Sequence, residues 1–128
     1  MTPREVVKAF HHAFVSRDVD ALMALYAEGA VNHQVAEEPL NGKEAIRRSF
    51  EDFFAAFPGE TTEALNVFED GEWGIWEWRG GPPSAPPDAP TVNGCGFFQV
   101  RDGKIVFQRG YWDKLTFLRA HGLPLPTR

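Results

Sequence analysis

The chain contains a single cysteine, Cys95, and no cluster of cysteines and histidines at zinc-ligand spacing. One thiol cannot form an internal disulfide, and without such a cluster we expect no bound metal. No apolar run approaches the ~20 residues that a membrane-crossing helix needs. Residues 1–5 lack the long apolar stretch of a signal peptide. These absences predict a soluble cytoplasmic protein with no membrane partner.

Positive charge is also scarce. The sequence has 13 lysines and arginines against 18 aspartates and glutamates, which gives a formal net charge of -5. Proteins that bind nucleic acids concentrate lysine and arginine in a patch that contacts phosphates. No such patch is visible here, so the sequence predicts no nucleic-acid partner.

Apolar residues, by contrast, are plentiful. They make up 43% of the 128 residues and include eleven phenylalanines and four tryptophans. A chain of this length and composition can bury a core without disulfides or metals. We therefore expect one domain that spans residues 1–128.

The first half of the chain predicts helices. Residues 2–5 combine a capping threonine, a proline and a glutamate, so they begin a first helix that runs to about Ser16. Asp18 caps a short second helix, which Gly29 ends. A third helix begins after Asn41 as its cap and carries a phenylalanine-rich stripe up to the Pro-Gly pair at residues 58–59.

The second half predicts strands, because the apolar period changes from about four residues to two. Residues 30–35 form a short extended segment before the third helix. Longer strands are expected near residues 61–69, 73–80, 91–101 and 104–113.

Asp-Gly pairs mark the tight turns between the strands, and residues 114–121 form a final short helix. This order of elements predicts an α+β fold in which a curved antiparallel sheet wraps around the N-terminal helices. The open end of such a sheet is a natural cavity for a ligand.

Several segments resemble the nuclear-transport-factor-2-like superfamily, which includes SnoaL-like polyketide cyclases and ketosteroid isomerases. These segments are residues 14–22, 25–27, 31–33, 41–46, 56–58, 97–105, 111–113 and 121–124. The resemblance implies a single SnoaL-like domain with the cone-shaped, cystatin-like α+β fold. The superfamily hosts both enzymes and plain binders, so the resemblance predicts the fold more strongly than it predicts a reaction.

Residues 103–125 are also similar to the end of limonene-epoxide hydrolases. Those enzymes use an Asp/Arg/Asp set, and the resemblance implies that Gly110 stands where one aspartate would be. The strand at 73–80 offers Glu77 and Arg79 in a different arrangement. Epoxide hydrolysis is accordingly less favoured by the sequence.

Ketosteroid isomerases use a tyrosine, a base carboxylate and a strand acid. The resemblance places Phe10 at the tyrosine, His33 or Gln34 at the base, and a position near Gly96 at the acid. None of these roles is kept. SnoaL-like cyclases tolerate more variety and need no cofactor, so they are the nearest remaining class of enzyme.

Strand alternation sorts the side chains onto two faces of the sheet, and the resemblance implies which face points into the pocket. Glycines 94, 96 and 110 would leave room inside it. If the register of strand 73–80 shifts by one residue, Glu77 and Arg79 face inward instead of the tryptophans. The predicted substrate-binding residues are Phe10, Phe14, Asn32, Gln34, Phe54, Trp76, Trp78, Gly96, Phe98, Gln108 and Trp112.

Two residues are candidates for acid/base catalysis. Asp113 could act as a carboxylate whose pKa is raised by apolar neighbours, or it could cap the last helix, and the capping role is favoured. The imidazole of His33 is of the kind used as a general base and could act as one here, or His33 could be a hydrogen-bonded residue at the pocket rim.

Three functions remain open. The first is a cofactor-independent cyclase or isomerase that acts on a small apolar carbonyl compound. The second is a non-catalytic binder of a hydrophobic metabolite. The third is an interaction module that pairs through its outer sheet face, where Arg109 and Tyr111 would lie. We expect a homodimer through that face in any case.

Overall fold

The computed structural model describes residues 1–35 and 37–126, in which ten helices and strands follow one another. They are α1 (Pro3–Val15), α2 (Val19–Ala24), β1 (Tyr26–Gln34), β2 (Leu40–Asn41), α3 (Lys43–Ala56), β3 (Thr61–Asp70), β4 (Trp73–Gly81), β5 (Val92–Arg101), β6 (Lys104–Trp112) and α4 (Lys114–Ala120).

The strands form one curved, unclosed sheet in the order β2-β1-β6-β5-β4-β3. Strand β1 runs parallel to β6, and the other neighbouring strands are antiparallel. The helices α1 and α3 contact the sheet on its inner face. This architecture confirms the predicted α+β, nuclear-transport-factor-2-like fold.

Helix α1 begins as predicted, with a reciprocal capping box between Thr2 and Glu5. Its apolar stripe packs closely on strand β4 because Gly74 has no side chain. A Cβ atom at that glycine would lie 2.6 Å from Val7 Cγ2 and 2.8 Å from the carbonyl oxygen of Pro3. The predicted bounds of α1 are confirmed, and the absence of a side chain at Gly74 lets the helix lie this close to β4.

The second helix ends earlier than predicted. It stops at Ala24, and Tyr26 is already the first residue of β1, whereas the sequence predicted a helix up to Gly29. The backbone N–H of Ile105 donates to the carbonyl of Leu25 at 2.8 Å, so pairing with β6 begins at once. This long-range pairing outweighs the local helical pattern.

The start of the third helix also differs from the prediction. Asn41 pairs with Val31 in the short strand β2, and the N-cap of α3 is Gly42, which makes no side-chain cap. Gly42 has a φ of 87°, a conformation that favours glycine. The chain turns sharply from strand to helix at this residue.

The four long strands predicted in the second half are confirmed to within a residue or two. Asp102 and Gly103 have φ values of 51° and 74°, which is the two-residue turn that an Asp-Gly pair favours between antiparallel strands. Within the described part of the chain, no helix has the length and apolar character needed to cross a membrane.

Candidate functional site

A cavity of about 190 Å³ lies between the helices and the inner face of the sheet. Most of its surface is apolar, so it suits an apolar occupant. The aromatic side chains that line it are Phe10, Phe14, Phe50, Phe53, Trp76, Trp78, Trp112 and Phe117.

Three glycines were predicted to leave room in the cavity. At two of them, neighbouring side chains occupy the space that a side chain would take. A Cβ atom at Gly94 would lie 2.5 Å from the indole ring of Trp78, and one at Gly110 would collide with the amide of Gln34. Gly96 and Gly110 both line the cavity, and only the ring of Phe98 approaches Gly96. The glycines thus shape the wall by admitting large side chains, and the prediction that all three leave empty space is wrong.

Amide side chains form a polar patch on this aromatic wall. Asn32, Gln34 and Gln108 line the cavity, and Gln34 Nε2 donates to Asn32 Oδ1 at 2.8 Å. The hydroxyl of Tyr26 donates to Oε1 of Gln108. Burial raises the pKa of Tyr26 well above its usual value, so this hydroxyl remains a donor. The Nε2 group of Gln108 is then the part of that side chain left to donate to a ligand.

A carboxylate–imidazole pair adjoins the cavity. Glu60, which lines the wall, lies in the loop between α3 and β3, and His121 immediately follows α4. His121 Nε2 is hydrogen-bonded to Oε2 of Glu60. The side chains of Glu60 and His121 are only 6% and 13% exposed, so water has little access to either group.

Aromatic rings surround the imidazole of this pair. The ring centroids of Phe57 and Phe117 lie 4.7 Å and 4.4 Å from that of His121. Desolvation by burial raises the pKa of Glu60 above its ordinary value, although the charges of His121 and Arg17 act in the opposite direction. The carboxyl group is thus poised to exchange a proton nearer neutral pH than an exposed glutamate.

Sequence reasoning missed this pair. The two residues are 61 positions apart, and each lies outside the alternating strand pattern that assigned the pocket faces. The available signals were local: a glutamate directly after the Pro-Gly pair at residues 58–59, and a histidine directly before Gly122. Neither signal indicates that the two side chains meet.

The structure places Asp113 away from the cavity wall, at the N-cap of α4. Its Oδ1 accepts from the backbone N–H of Thr116 at 3.0 Å, and its Oδ2 accepts from the Thr116 hydroxyl at 2.5 Å. These hydrogen bonds lower the pKa of Asp113. The capping role is confirmed, and the proposed raised pKa of a working carboxylate at this position is wrong.

His33 also lies outside the cavity lining. It pairs across the sheet with Arg109, whose Nε donates to His33 Nδ1 at 3.3 Å. Because side chains alternate along β1, His33 is on the face opposite to Asn32 and Gln34. The geometry offers it no contact with an occupant of the cavity.

Nine of the eleven predicted substrate-binding residues lie on the cavity wall. Phe54 and Phe98 do not. Phe98 is fully buried behind Phe10, and Phe54 packs against Phe14 and Phe50. The nine are Phe10, Phe14, Asn32, Gln34, Trp76, Trp78, Gly96, Gln108 and Trp112.

The register of β4, which the sequence left open, places the tryptophans inside. Trp76 and Trp78 line the cavity. Glu77 and Arg79 are exposed on the outer face, where Arg79 pairs with Glu63 at 3.2 Å. Among the described residues, no three acidic, histidine or cysteine side chains cluster in a way that could hold a metal ion.

Comparison with solved structures agrees with this fold. Wild-type IdmH of Streptomyces antibioticus, a candidate polyketide cyclase, is 23% identical with a TM-score of 0.77, and the match covers 96% of this chain and 100% of IdmH. A Catenulispora acidiphila protein with a ketosteroid isomerase-like fold, solved with trimethylamine, is 22% identical with a TM-score of 0.79, over 97% and 96% of the two chains.

A third similar structure is a candidate SnoaL-like polyketide cyclase of a Jannaschia species. It is 19% identical, its TM-score is 0.77, and the match covers 94% of this chain and 92% of the other. At these identities the likeness concerns the fold. The model of the SnoaL-like domain family matches residues 7–108, which is most of the sequence. This chain therefore belongs to the SnoaL-like domain family.

Proposed function

We propose that this protein binds a small, mostly apolar carbonyl compound in its cavity and performs cofactor-independent acid/base chemistry on it, of cyclase or isomerase type. The observation that carries the proposal is the combination of aromatic walls with amide groups on the same surface. The solved structures named as candidate polyketide cyclases share the fold and support the class of reaction.

The amides would fix the orientation of the compound. Gln108 Nε2 and Asn32 Nδ2 are not engaged by the hydrogen bonds inside the patch, in which Tyr26 and Gln34 are the donors. When the carbonyl oxygen of the compound accepts a hydrogen bond from either amide, the carbonyl carbon becomes more electron-poor. The C–H group next to that carbon therefore becomes more acidic. The aromatic walls keep water away from the reacting atoms.

Binding can be tested with two probes that differ by one oxygen, 2-naphthol and naphthalene. Quenching of Trp76, Trp78 and Trp112 reports occupancy, because all three indoles line the cavity. We expect the protein to bind both probes and to prefer 2-naphthol by about fivefold, the value of one net hydrogen bond. Equal affinities, or no binding, would contradict the proposal.

The contribution of the amide is isolated by a pair of variants. In the double variant Tyr26→Phe/Gln108→Leu both partners of the buried hydrogen bond are removed, so no polar group is left unpaired. It should lose the preference for 2-naphthol. The single variant Tyr26→Phe keeps the amide of Gln108 and should retain the preference.

A non-catalytic binder is the second candidate. It is favoured by the scarcity of charge, since Glu60 is the only charged residue found on the cavity wall within residues 1–35 and 37–126. The two candidates differ in whether that carboxylate transfers protons.

A further inference from the structure

We infer that Glu60 and His121 form the acid/base pair of this site, with Glu60 as the group that takes a proton from the bound compound and His121 as the positioning residue. The inference rests on the proposed function and names the residues that would carry it out. Neither residue belongs to the sets predicted from the sequence.

The backbone holds Glu60 in place from two sides. Its N–H donates to the carbonyl of Phe57 at 3.2 Å, and its own carbonyl accepts from Nη2 of Arg17 at 2.7 Å. The side chain is then oriented by His121, which contacts Oε2. A carboxylate fixed at both its backbone and one oxygen meets the requirement that a base be held in one geometry.

Burial and two charged or titratable groups, His121 and Arg17, set the pKa of this carboxylate. Burial destabilises its ionised form, while His121 at the end of α4 and Arg17 in the turn after α1 favour that form. Burial is the largest influence, so the pKa of Glu60 is raised. A base with a raised pKa is a stronger base when ionised, and an apolar surrounding preserves that strength.

A purely structural role explains the pair less well. A buried ion pair contributes little net stability, because desolvation of the two charges offsets their attraction. Phe117 already packs α4 onto α3 through Phe53 and Phe57, with ring centroids 6.4 Å and 5.0 Å away. A buried glutamate on a cavity wall is a costly way to hold a helix that aromatic rings hold already.

The chemical step balances without any additional reactant. The C–H bond next to the substrate carbonyl breaks, its electron pair moves into an enolate whose oxygen accepts from the amides, and the proton forms an O–H bond on Glu60. The same carboxyl group then returns the proton to the rearranged product. No electrons are gained or lost overall.

Proton abstraction can be measured before the natural substrate is known, with 5-nitrobenzisoxazole as the probe. A base removes its ring C–H proton, the N–O bond breaks, and a coloured cyanophenolate forms. We expect the wild-type protein to catalyse this elimination and Glu60→Gln to lower kcat at least about a hundredfold, the usual contribution of a general base. Glu63→Gln is the matched control, since Glu63 is exposed and pairs with Arg79.

The pH profile tests the role of His121. The wild-type rate should rise with pH as Glu60 ionises, with a midpoint above that of an ordinary glutamate. His121→Asn removes a group whose charge lowers the pKa of Glu60, so the midpoint should move to higher pH. Loss of a merely structural contact would lower the rate without moving the midpoint.

Each outcome decides between the two proposals. If neither naphthol nor the benzisoxazole binds, the proposed function fails. If 2-naphthol binds but the wild-type protein does not accelerate the elimination beyond free acetate, or if Glu60→Gln matches Glu63→Gln, the acid/base assignment fails while binding stands. Should Glu60→Gln not fold, an unshifted midpoint in His121→Asn would overturn the assignment.

Discussion

At the scale of single residues, the glycines of β5 differ in how closely other side chains approach them. A Cβ atom at Gly94 would lie 2.5 Å from Trp78 Cζ2 and 2.8 Å from Trp112 Cβ, whereas one at Gly96 would meet Phe98 at 3.2 Å. We predict that Gly94→Ala lowers the free energy of unfolding by about 1–3 kcal/mol, the usual cost of overpacking. Urea denaturation measures it.

Gly96→Ala serves as the comparison for that prediction, because it makes the same chemical change on the same strand. It should cost less than Gly94→Ala, since the ring of Phe98 needs to move by only a few tenths of an ångström. An equal loss in the two variants would mean that the packing of Trp78 does not depend on Gly94.

Glu60 also links the candidate site to stability. Its pKa is raised in the folded protein, so folding favours the protonated form. The stability that this preference contributes is complete below the pKa of an unfolded glutamate and is lost as pH rises through the raised value. Because glutamine resembles the protonated carboxyl group, we predict that Glu60→Gln is more stable than wild type above the raised pKa.

The difference should shrink towards zero as pH falls below about 4, where Glu60 is protonated in both states. Thermal unfolding of the two proteins over a range of pH measures it. Glu63→Gln should show no comparable trend. A variant that is less stable than wild type at high pH would indicate that the ion pair with His121 outweighs the cost of burial.

The pKa of Asp113 is shifted in the opposite direction from that of Glu60. Its pKa is lowered by hydrogen bonds from Thr116, so its contribution to the cap is present above the usual aspartate pKa and is lost as pH falls through the lowered value. We predict that Asp113→Asn, which preserves a capping oxygen, keeps the benzisoxazole turnover. Asp113→Ala should fray α4, visible as faster amide exchange there. A large loss of kcat in Asp113→Asn would return this residue to the list of catalytic candidates.

At the scale of elements, α4 is the one helix of the described chain that contains no fully buried residue. It contacts α3 mainly through Phe117 and the adjoining His121. Phe117 also lines the cavity. Helix α4 therefore forms part of the cavity wall without being anchored in the core.

We predict that the amides of α4 exchange with deuterium faster than those of β5 and β6, because α4 has no fully buried residue whereas both strands have several. Saturation with 2-naphthol should slow exchange in α4 more than elsewhere, since an occupant would contact Phe117. Mass spectrometry of peptic fragments reads out both effects. Uniform slowing across the chain would mean that α4 does not respond to the cavity.

Helix starts and tight turns could be predicted from the sequence where residues close together in the chain determine them. The capping box at Thr2 and Glu5 and the turn at Asp102–Gly103 have patterns that depend only on nearby residues. The second helix was predicted too long, because β1 begins at Tyr26 through pairing with a strand some 80 residues away. Local patterns could not indicate that pairing.

At the scale of the whole molecule, the outer face of the sheet is rich in aromatic side chains. Phe97 and Tyr111 contact each other edge to face at 6.1 Å, and Trp73 and Phe107 do so at 6.3 Å. Tyr111 is 47% exposed. Neighbouring, partly exposed aromatic side chains are typical of an interface between protein chains.

We propose that a second copy of this chain covers the face, as the sequence predicted. The double variant Phe97→Glu/Tyr111→Glu should then sediment as a monomer, while Glu44→Gln, at an exposed position of α3 away from the sheet's outer face, should behave as wild type. Analytical ultracentrifugation distinguishes the two states. A monomeric wild-type protein would rule out the homodimer.

Alternation along the strands groups the side chains of the cavity wall, and with the inward face that the resemblance implies it placed Gln108 there. It left open whether Trp76 and Trp78 or Glu77 and Arg79 face inward, and only the register of β4 in the tertiary structure decided for the tryptophans. The alternation of apolar and polar residues is a local property of the sequence, and it matches the two faces of a strand wherever one of them is buried. The pairing of Glu60 with His121 has no local signature, because a loop and a helix end meet only after the sheet curves and α4 packs back over it. Their burial, which makes the carboxyl group a useful base, arises from that same long-range packing.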